Sequence, residues 1–329
     1  MAILALAGDV MLGRGVNEAL RAMTPEEPWG DVLPLLREAD ARVVNLECAI
    51  TTHRHPWTRT PKVFHFRADP SAVAVLAAAR IDAVSLANNH TLDFEEAGLL
   101  DTLAHLDAAG IRHAGAGRDL EAARQPALLD VGDTRIALVA ATDNEPDFAA
   151  EPDRPGTNYL PVSLDPIVLE SVEVMIGAAR DAGARVVVFS NHWGPNMVER
   201  PSDRFRAFAQ AVIDRGADAY YGHSAHLVQG IEVYRGRPIL YDTGDFLDDY
   251  AVDPVLRNDR SCLFRLAIEG DDVVGLDVVP VSLSYARVGI ATGDEREAIL
   301  ERVARLSAEF GTTFAPRDGR LELPLGGDS

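Results

Sequence analysis

Short apolar runs rich in β-branched residues alternate along this chain with longer Ala- and Leu-rich stretches of helical period. That alternation predicts an α/β protein. Strands are expected at residues 3–7, 41–46, 83–87, 135–140, 185–190, 217–221 and 238–241, with two more at 262–268 and 272–280. Helices are expected at 71–80, 94–109, 164–182 and 202–215, and an arginine-rich one near 295–310. Gly110, Gly183 and Gly216 each follow a predicted last turn, where a left-handed cap favours a residue without Cβ. Prolines and polar residues break any period in 51–70 and 144–161, so both read as loops over a site. No internal repeat or linker divides the chain.

The polar motifs fall where strands end. Ala7-Gly8-Asp9 closes the first strand, Asn45-Leu46-Glu47 the second and Asn88-Asn89-His90 the third. Asn191-His192-Trp193-Gly194 and Gly222-His223-Ser224-Ala225-His226 close two later ones. In open α/β sheets ligands bind outside the carboxyl ends of the strands, so these endings are expected to converge on one crevice. The side chains there, Asp9, Glu47, Asn89, His192, His223 and His226, mix oxygen and nitrogen donors, a set suited to one or two ions of manganese, iron or zinc. His90 reads as an acid or electrophile beside the metal, held by Asp93. Asp245, Asp248 and Asp249 read equally as a surface acidic run or, for Asp245, as a partner to a ligating histidine. Trp193 is a candidate to stack on substrate, and strand alternation turns Cys48 away from Glu47 as a small buried hydrophobe.

Composition narrows the functions. With 51 acidic against 31 basic residues the formal charge is -20, which disfavours nucleic acid and anionic membranes as partners and attracts divalent cations. Lys62 is the one lysine, a composition bias rather than a function. Two cysteines make no disulfide framework, the opening residues lack a basic leader, and no window approaches a membrane span. A cytoplasmic protein is expected.

Taken in order, Gly8-Asp9-Val10-Met11-Leu12-Gly13-Arg14, Asn45-Leu46-Glu47, Ala87-Asn88-Asn89-His90, His192-Trp193-Gly194 and Gly222-His223-Ser224-Ala225-His226 resemble the poly-γ-glutamate capsule synthesis (CapA-like) family. Phe66-Arg67-Ala68-Asp69-Pro70 and Tyr241-Asp242-Thr243-Gly244-Asp245-Phe246 add to the likeness, which runs from residue 3 to about 250. The resemblance places the chain with the calcineurin-like metallophosphoesterases. It implies a single domain over residues 1–329, folded as a four-layer α-β-β-α sandwich, with 262–329 completing the second sheet and adding a C-terminal helix. It also implies Asp9 as the first-motif aspartate, Glu47 as a carboxylate shared by two metals, Asn89, His192 and His223 around one metal, and His226 at the other. Met11 stands where two-metal phosphoesterases of this kind carry a histidine, and the last motif is one residue longer than usual.

One divalent ion lowers the pKa of bound water from about 15.7 to roughly 7, on the order of 12 kcal/mol at ~1.36 kcal/mol per unit. A second ion mainly clamps the attacking and leaving oxygens of phosphoryl transfer. A weakened second site therefore favours an amide or peptide-like substrate. The expected activity is hydrolysis or transfer on a glutamyl polymer or related peptide, with His90 or His226 as general acid and Arg14, Lys62 and Arg67 holding carboxylates. Three other readings use the same residues: proton exchange (epimerisation or cyclisation) with Asp9 and His226 as the exchanging groups, phosphoester hydrolysis, and a metal-stabilised accessory protein working with capsule-synthesis partners.

Overall fold

The computed structural model describes residues 1–326. It begins with β1 (Ala2–Val10), α1 (Arg14–Ala19), α2 (Leu33–Glu38), β2 (Ala41–Leu46), α3 (Val73–Ala78), β3 (Ala83–Ser85), α4 (Glu95–Ala108) and β4 (Arg112–Ala114). Strands β1 to β4 pair side by side in parallel, each crossover passing through helix, as parallel neighbours require. After α5 (Leu120–Arg124) the chain builds a second sheet from β5 (Ala127–Val131), β6 (Thr134–Thr142), α6 (Pro166–Asp181), β7 (Val186–His192), α7 (Asp203–Asp214), β8 (Ala219–His223), β9 (Ile231–Tyr234) and β10 (Arg237–Leu240). Its order is β9-β10-β8-β7-β6-β5, parallel across the middle.

The chain then returns to the first sheet. Strand β11 (Asp245–Leu247) lies parallel to the end of β1. Strands β12 (Arg260–Glu269), β13 (Asp272–Ser284), β14 (Arg287–Ile290), β15 (Ala315–Arg317) and β16 (Arg320–Pro324) form an antiparallel half, with α8 (Gly293–Ala308) between β14 and β15. The expectation that residues 262–329 complete the second sheet is thus corrected. β1 is buried on both faces, and an unpaired edge there would leave its backbone groups without partners, so β12 covers that edge with Leu6 opposite Phe264. The last three residues of that stretch lie outside the described residues.

Period-two alternation sorts the side chains into three cores. Leu4 and Leu6 face Ile136, Leu138, Val186 and Val188 between the sheets, and α8 closes this core with Ile299, Leu300 and Val303. Ala5 and Ala7 point the other way, to the core under Leu36 of α2, Leu76 of α3 and Leu99 and Leu106 of α4. Val187, Phe189 and Tyr220 carry the far face of the second sheet, covered by Val172 and Ile176 of α6 and Phe208 and Val212 of α7. The result is the expected four-layer α-β-β-α sandwich. Cys48 and Cys262 are free and buried, and burial pushes the Cys48 thiol up to about 12.

Helix ends follow the sequence closely: Gly110, Gly183 and Gly216 adopt φ of 71°, 88° and 99°. The expected helix at 71–80 is shorter, a 3-10 turn at Pro70–Ala72 running into α3. Strands β1 and β7 run beyond their expected ends, which brings Asp9 and His192 into the pairing ladders. Among the described residues no helix is long and apolar enough to cross a membrane.

Candidate metal centre

Parallel registers set the site. His192 stands opposite His223 at the ends of β7 and β8, while Asp9 stands opposite both Asn45 of β2 and Asp245 of β11. The two sheet ends meet closely. The Tyr221 hydroxyl donates to the Ala7 carbonyl, and the Asp9 N–H donates to the Gly244 carbonyl at 2.9 Å. A Cβ on Gly8 would lie 1.7 Å from that carbonyl oxygen, and one on Gly222 would lie 2.1 Å from the Tyr241 oxygen, so both motif glycines are required by backbone contact.

Asp9, His192 and His223 form one buried group whose ligand atoms lie within 4.8 Å of one another. The Nδ1 atoms of the two imidazoles are 2.9 Å apart, and Asp9 Oδ1 is 3.7 Å from His223 Nδ1 and 4.0 Å from His192 Nδ1. Ser190 Oγ sits 2.8 Å from His223 Nε2, and the Asn45 amide donates to Asp9 Oδ1 at 2.7 Å. Asp9, His226 and Asp245 form a second group under the same distance limit. His226 Nδ1 lies 2.7 Å from Asp245 Oδ1 and 3.6 Å from Asp9 Oδ2. Its loop is strained, with φ of 118° at Ser224 and 59° at His226.

The residues fit a divalent cation. Asp9 Oδ2, Asn89 Oδ1 and Asp245 Oδ2 are buried acceptors that receive no hydrogen bond. Burial pushes His223 down to about 3 and, with neighbouring histidines, holds His192 well below its ordinary value, so both are neutral and ready to ligate. Burial and the Glu47 charge raise Asp9 well above the carboxylate range, a cost that a nearby cation reverses. Carboxylate oxygen with imidazole nitrogen suits manganese, iron or zinc.

The carboxylate shared by the two groups is Asp9. Glu47 lies on the other side of His192, its Oε1 3.8 Å from Nε2, and its Oε2 accepts from the Tyr250 hydroxyl at 3.0 Å. Asn89 brings its orphaned side-chain oxygen to the loop after β3, and its main-chain carbonyl accepts from Lys62 at 2.6 Å. His90 stacks on Phe66, centroids 3.7 Å apart, and its Nδ1 lies 2.6 Å from Asp93 Oδ2. Burial pushes His90 down to about 3. For His226 burial acts in the same sense, but the charges of Asp245, Glu47 and Asp9 outweigh it and hold the imidazole well above its ordinary value. His90, His226 and Arg14 line one cleft of about 560 Å³.

Three expected substrate contacts lie elsewhere. Trp193 is 4% exposed and packs on Phe205 and Tyr220, its indole N–H donating to the Tyr241 carbonyl. Arg67 donates to the Thr51 carbonyl and to Asp69, bracing the 51–70 loop. Lys62 is buried behind His90, with Asp93 and Glu145 as its charge partners. Strand-end position alone does not say which way a side chain turns. Conversely, Asn45, Asp245 and Tyr250 touch the centre without having been singled out as ligands. Asn45 shares a strand face with Glu47, and Gly244-Asp245 repeats Gly8-Asp9, signals that were present in the sequence; Tyr250 had none.

The family described as "Bacterial capsule synthesis protein PGA_cap" matches residues 3–250. A "Probable polyglutamine synthesis accessory protein" of Mycobacterium tuberculosis (strain CDC 1551 / Oshkosh) is 34% identical, covering 97% of this chain and 94% of its own. The "PGA biosynthesis protein CapA" of Bacillus subtilis (strain 168) is 30% identical over 97% of this chain and 81% of its own. The "Capsule biosynthesis protein CapA" of Bacillus anthracis is 27% identical over 97% and 77%. A hypothetical protein from Thermus thermophilus shares the fold, with TM-score 0.51 at 15% identity, covering 86% of this chain and 100% of that one. With the family model spanning most of its length and a relative at 34% identity end to end, the chain belongs to the bacterial capsule synthesis protein PGA_cap family.

Proposed function

We propose that this chain is a divalent-metal-dependent enzyme of capsule synthesis that hydrolyses or transfers at a carbonyl of a glutamyl polymer or related peptide. The observation that carries the reading is the buried convergence of Asp9, His192 and His223, with Asp9 3.6 Å from His226 of the cleft lining. Asp9, His192 and His223 would hold the ion, with Glu47 and Asn89 beside them. A bound divalent ion supplies Lewis acidity toward water and the substrate carbonyl.

Two histidines on the cleft wall have environments that drive their proton affinities apart, leaving one neutral and one charged. His90 is neutral, its Nδ1 anchored on Asp93, which leaves the Nε2 lone pair to accept a hydrogen bond from substrate or water. His226, held by Asp245, carries a proton toward the leaving nitrogen. Asp93 and Asp245 act through these imidazoles by fixing their orientation.

The test is release of glutamate from γ-glutamyl peptides by purified protein supplied with Mn²⁺, with and without chelator. Activity is expected to disappear with the ion and return on its re-addition. Full activity in chelator, or in His223→Ala, ends the reading.

A phosphoester substrate is the second reading, supported by the group of Asp9, His226 and Asp245, which supplies a second set of ligand atoms despite Met11. Phosphate release from an aryl phosphate in the same assay, exceeding glutamate release, would favour it. Incorporation of solvent deuterium at an α-carbon would instead favour proton exchange. The names of the mycobacterial relatives support an accessory role. Under it, the protein would co-purify with a synthesis complex and turn over none of these substrates.

A further inference from the structure

Above the carboxylates and imidazoles, the walls of the cleft are chiefly aromatic and aliphatic. Phe66, Tyr250 and Pro254 line it, and Phe64 and Val252 stand at its rim, 58% and 50% exposed. Among the described residues Arg14 is the sole arginine or lysine in this lining. Its guanidinium carbon lies 5.7, 5.3 and 5.7 Å from the ring centroids of Phe64, Phe66 and Tyr250. Its Nη2 is 3.2 Å from Asp249 Oδ1, and the other oxygen of Asp249 accepts from the Gly15 N–H at 2.9 Å.

Arg14 takes a left-handed backbone, φ 49°, which a side-chain-bearing residue adopts only where its surroundings impose it. One ion pair does not use up a planar fork of five N–H donors, and the side chain remains 37% exposed, so a second carboxylate can be received there. A polymer with a carboxylate on every unit meets different terms. After the first charge is matched at Arg14, the next ones face apolar wall, Asp253 and the amides of Asn196 and Asn258 in a protein of formal charge -20, while the charge of His226 is already matched by Asp245 at 2.7 Å.

We infer that Arg14 is the specificity-determining residue of this cleft, receiving one carboxylate of a glutamyl peptide whose flanking units are uncharged. The fully ionised interior of a polyglutamate chain is disfavoured. The inference rests on the hydrolase or transferase reading of the same site and names its substrate class.

Binding tests it apart from turnover. Length-matched γ-glutamyl tripeptides with zero, one, two or three free carboxylates, the others amidated, are titrated calorimetrically into the protein with and without Mn²⁺, at low and high salt. The singly charged peptide is expected to bind about tenfold or more tighter than the uncharged one, on the order of one ion-pair contact. Each further carboxylate should weaken binding, more so at low salt. Arg14→Gln should erase the advantage of the first carboxylate, so that the singly charged and uncharged peptides bind alike, with its melting curve confirming the fold. Affinity that climbs with every added carboxylate, or no binding of any peptide, overturns the inference in the wild-type protein whatever the variant does. Arg14-dependent binding without cleavage of any peptide would sink the hydrolase reading and leave this one; cleavage with affinity climbing along the series would do the reverse.

Discussion

His192 and His223 face each other Nδ1 to Nδ1 at 2.9 Å, both buried and both held neutral by that burial. With Ser190 Oγ beside His223 Nε2, the ring proton of His223 is best spent there, which leaves its Nδ1 lone pair aimed at Asp9 and His192. Protein groups alone leave this arrangement uncompensated, and on the proposed reading a cation would complete it. Chelator-treated protein should therefore melt lower, and added Mn²⁺ or Zn²⁺ should raise the midpoint in a concentration-dependent way, the linked gain in stability being on the order of 4 kcal/mol at ~1,000 times the dissociation constant. His223→Ala should lose most of that shift in scanning calorimetry. An equal shift in the variant would place the ion elsewhere.

Asp245 fixes His226 and shares the second group with Asp9. Its replacement by Asn keeps the size but removes the charge, so on the proposed metal reading an ion at Asp9 and His226 should be held about 10–100-fold more weakly while one at His192 and His223 stays. Counting ions per chain by elemental analysis across a metal titration reads this directly. Unchanged stoichiometry and affinity would remove Asp245 from the centre.

Acidity should act on the metal-free protein from both sides. His90 and His223 have folded pKa values of about 3, below the ~6.5 of the unfolded chain, so their contribution is present above ~6.5 and is lost as pH falls toward 3. Asp248 behaves oppositely: burial lifts it to about 8, above the ~3.9 of the unfolded chain, so its contribution is full below ~3.9 and is lost as pH rises through 8. Asp248→Asn should accordingly raise the melting temperature at pH 8 by about 2 °C or more, and the gain should vanish toward pH 4. A gain of the same size at both values would contradict the assigned burial effect.

Trp193 belongs to the core beneath α7, not to the cleft. Trp193→Leu should cost about 2–4 kcal/mol in urea unfolding and leave peptide KM unchanged. A raised KM with unaltered stability would restore it to the binding surface.

Gly222→Ala confronts a backbone oxygen 2.1 Å from the new Cβ, and neither strand can move without disturbing its sheet. The expected loss is about 3 kcal/mol or more, or failure to fold. Near-wild-type urea unfolding would show that the junction is softer than its contacts imply.

Much of this architecture was legible because period-two alternation and glycine-capped helices are local signals. Asp9, His192 and His223 could be picked out since each ends an apolar strand beside a glycine or a polar motif. What escaped depended on pairing between distant segments. Asp245 reaches Asp9 only because three residues, Asp245–Leu247, lie parallel to the end of β1, and so short a strand leaves no periodic trace. The C-terminal strands were placed by resemblance rather than by pattern, and their alternation suits either sheet. Arg67, Lys62 and Trp193 show the converse: residue type suggested ligand contact, and neighbouring carbonyls, carboxylates and rings claimed them instead.

The chain's return to its first sheet after the second is complete has a consequence for biosynthesis. Asp9 leaves the ribosome almost at once, but His192, His223 and Asp245 emerge only after most of the polypeptide has been made, and β12, which seals the edge of β1, comes later still. A nascent chain halted before β7 holds a single carboxylate of either ligand group and should capture no ion, so the proposed metal uptake would mark the end of synthesis rather than guide its early stages.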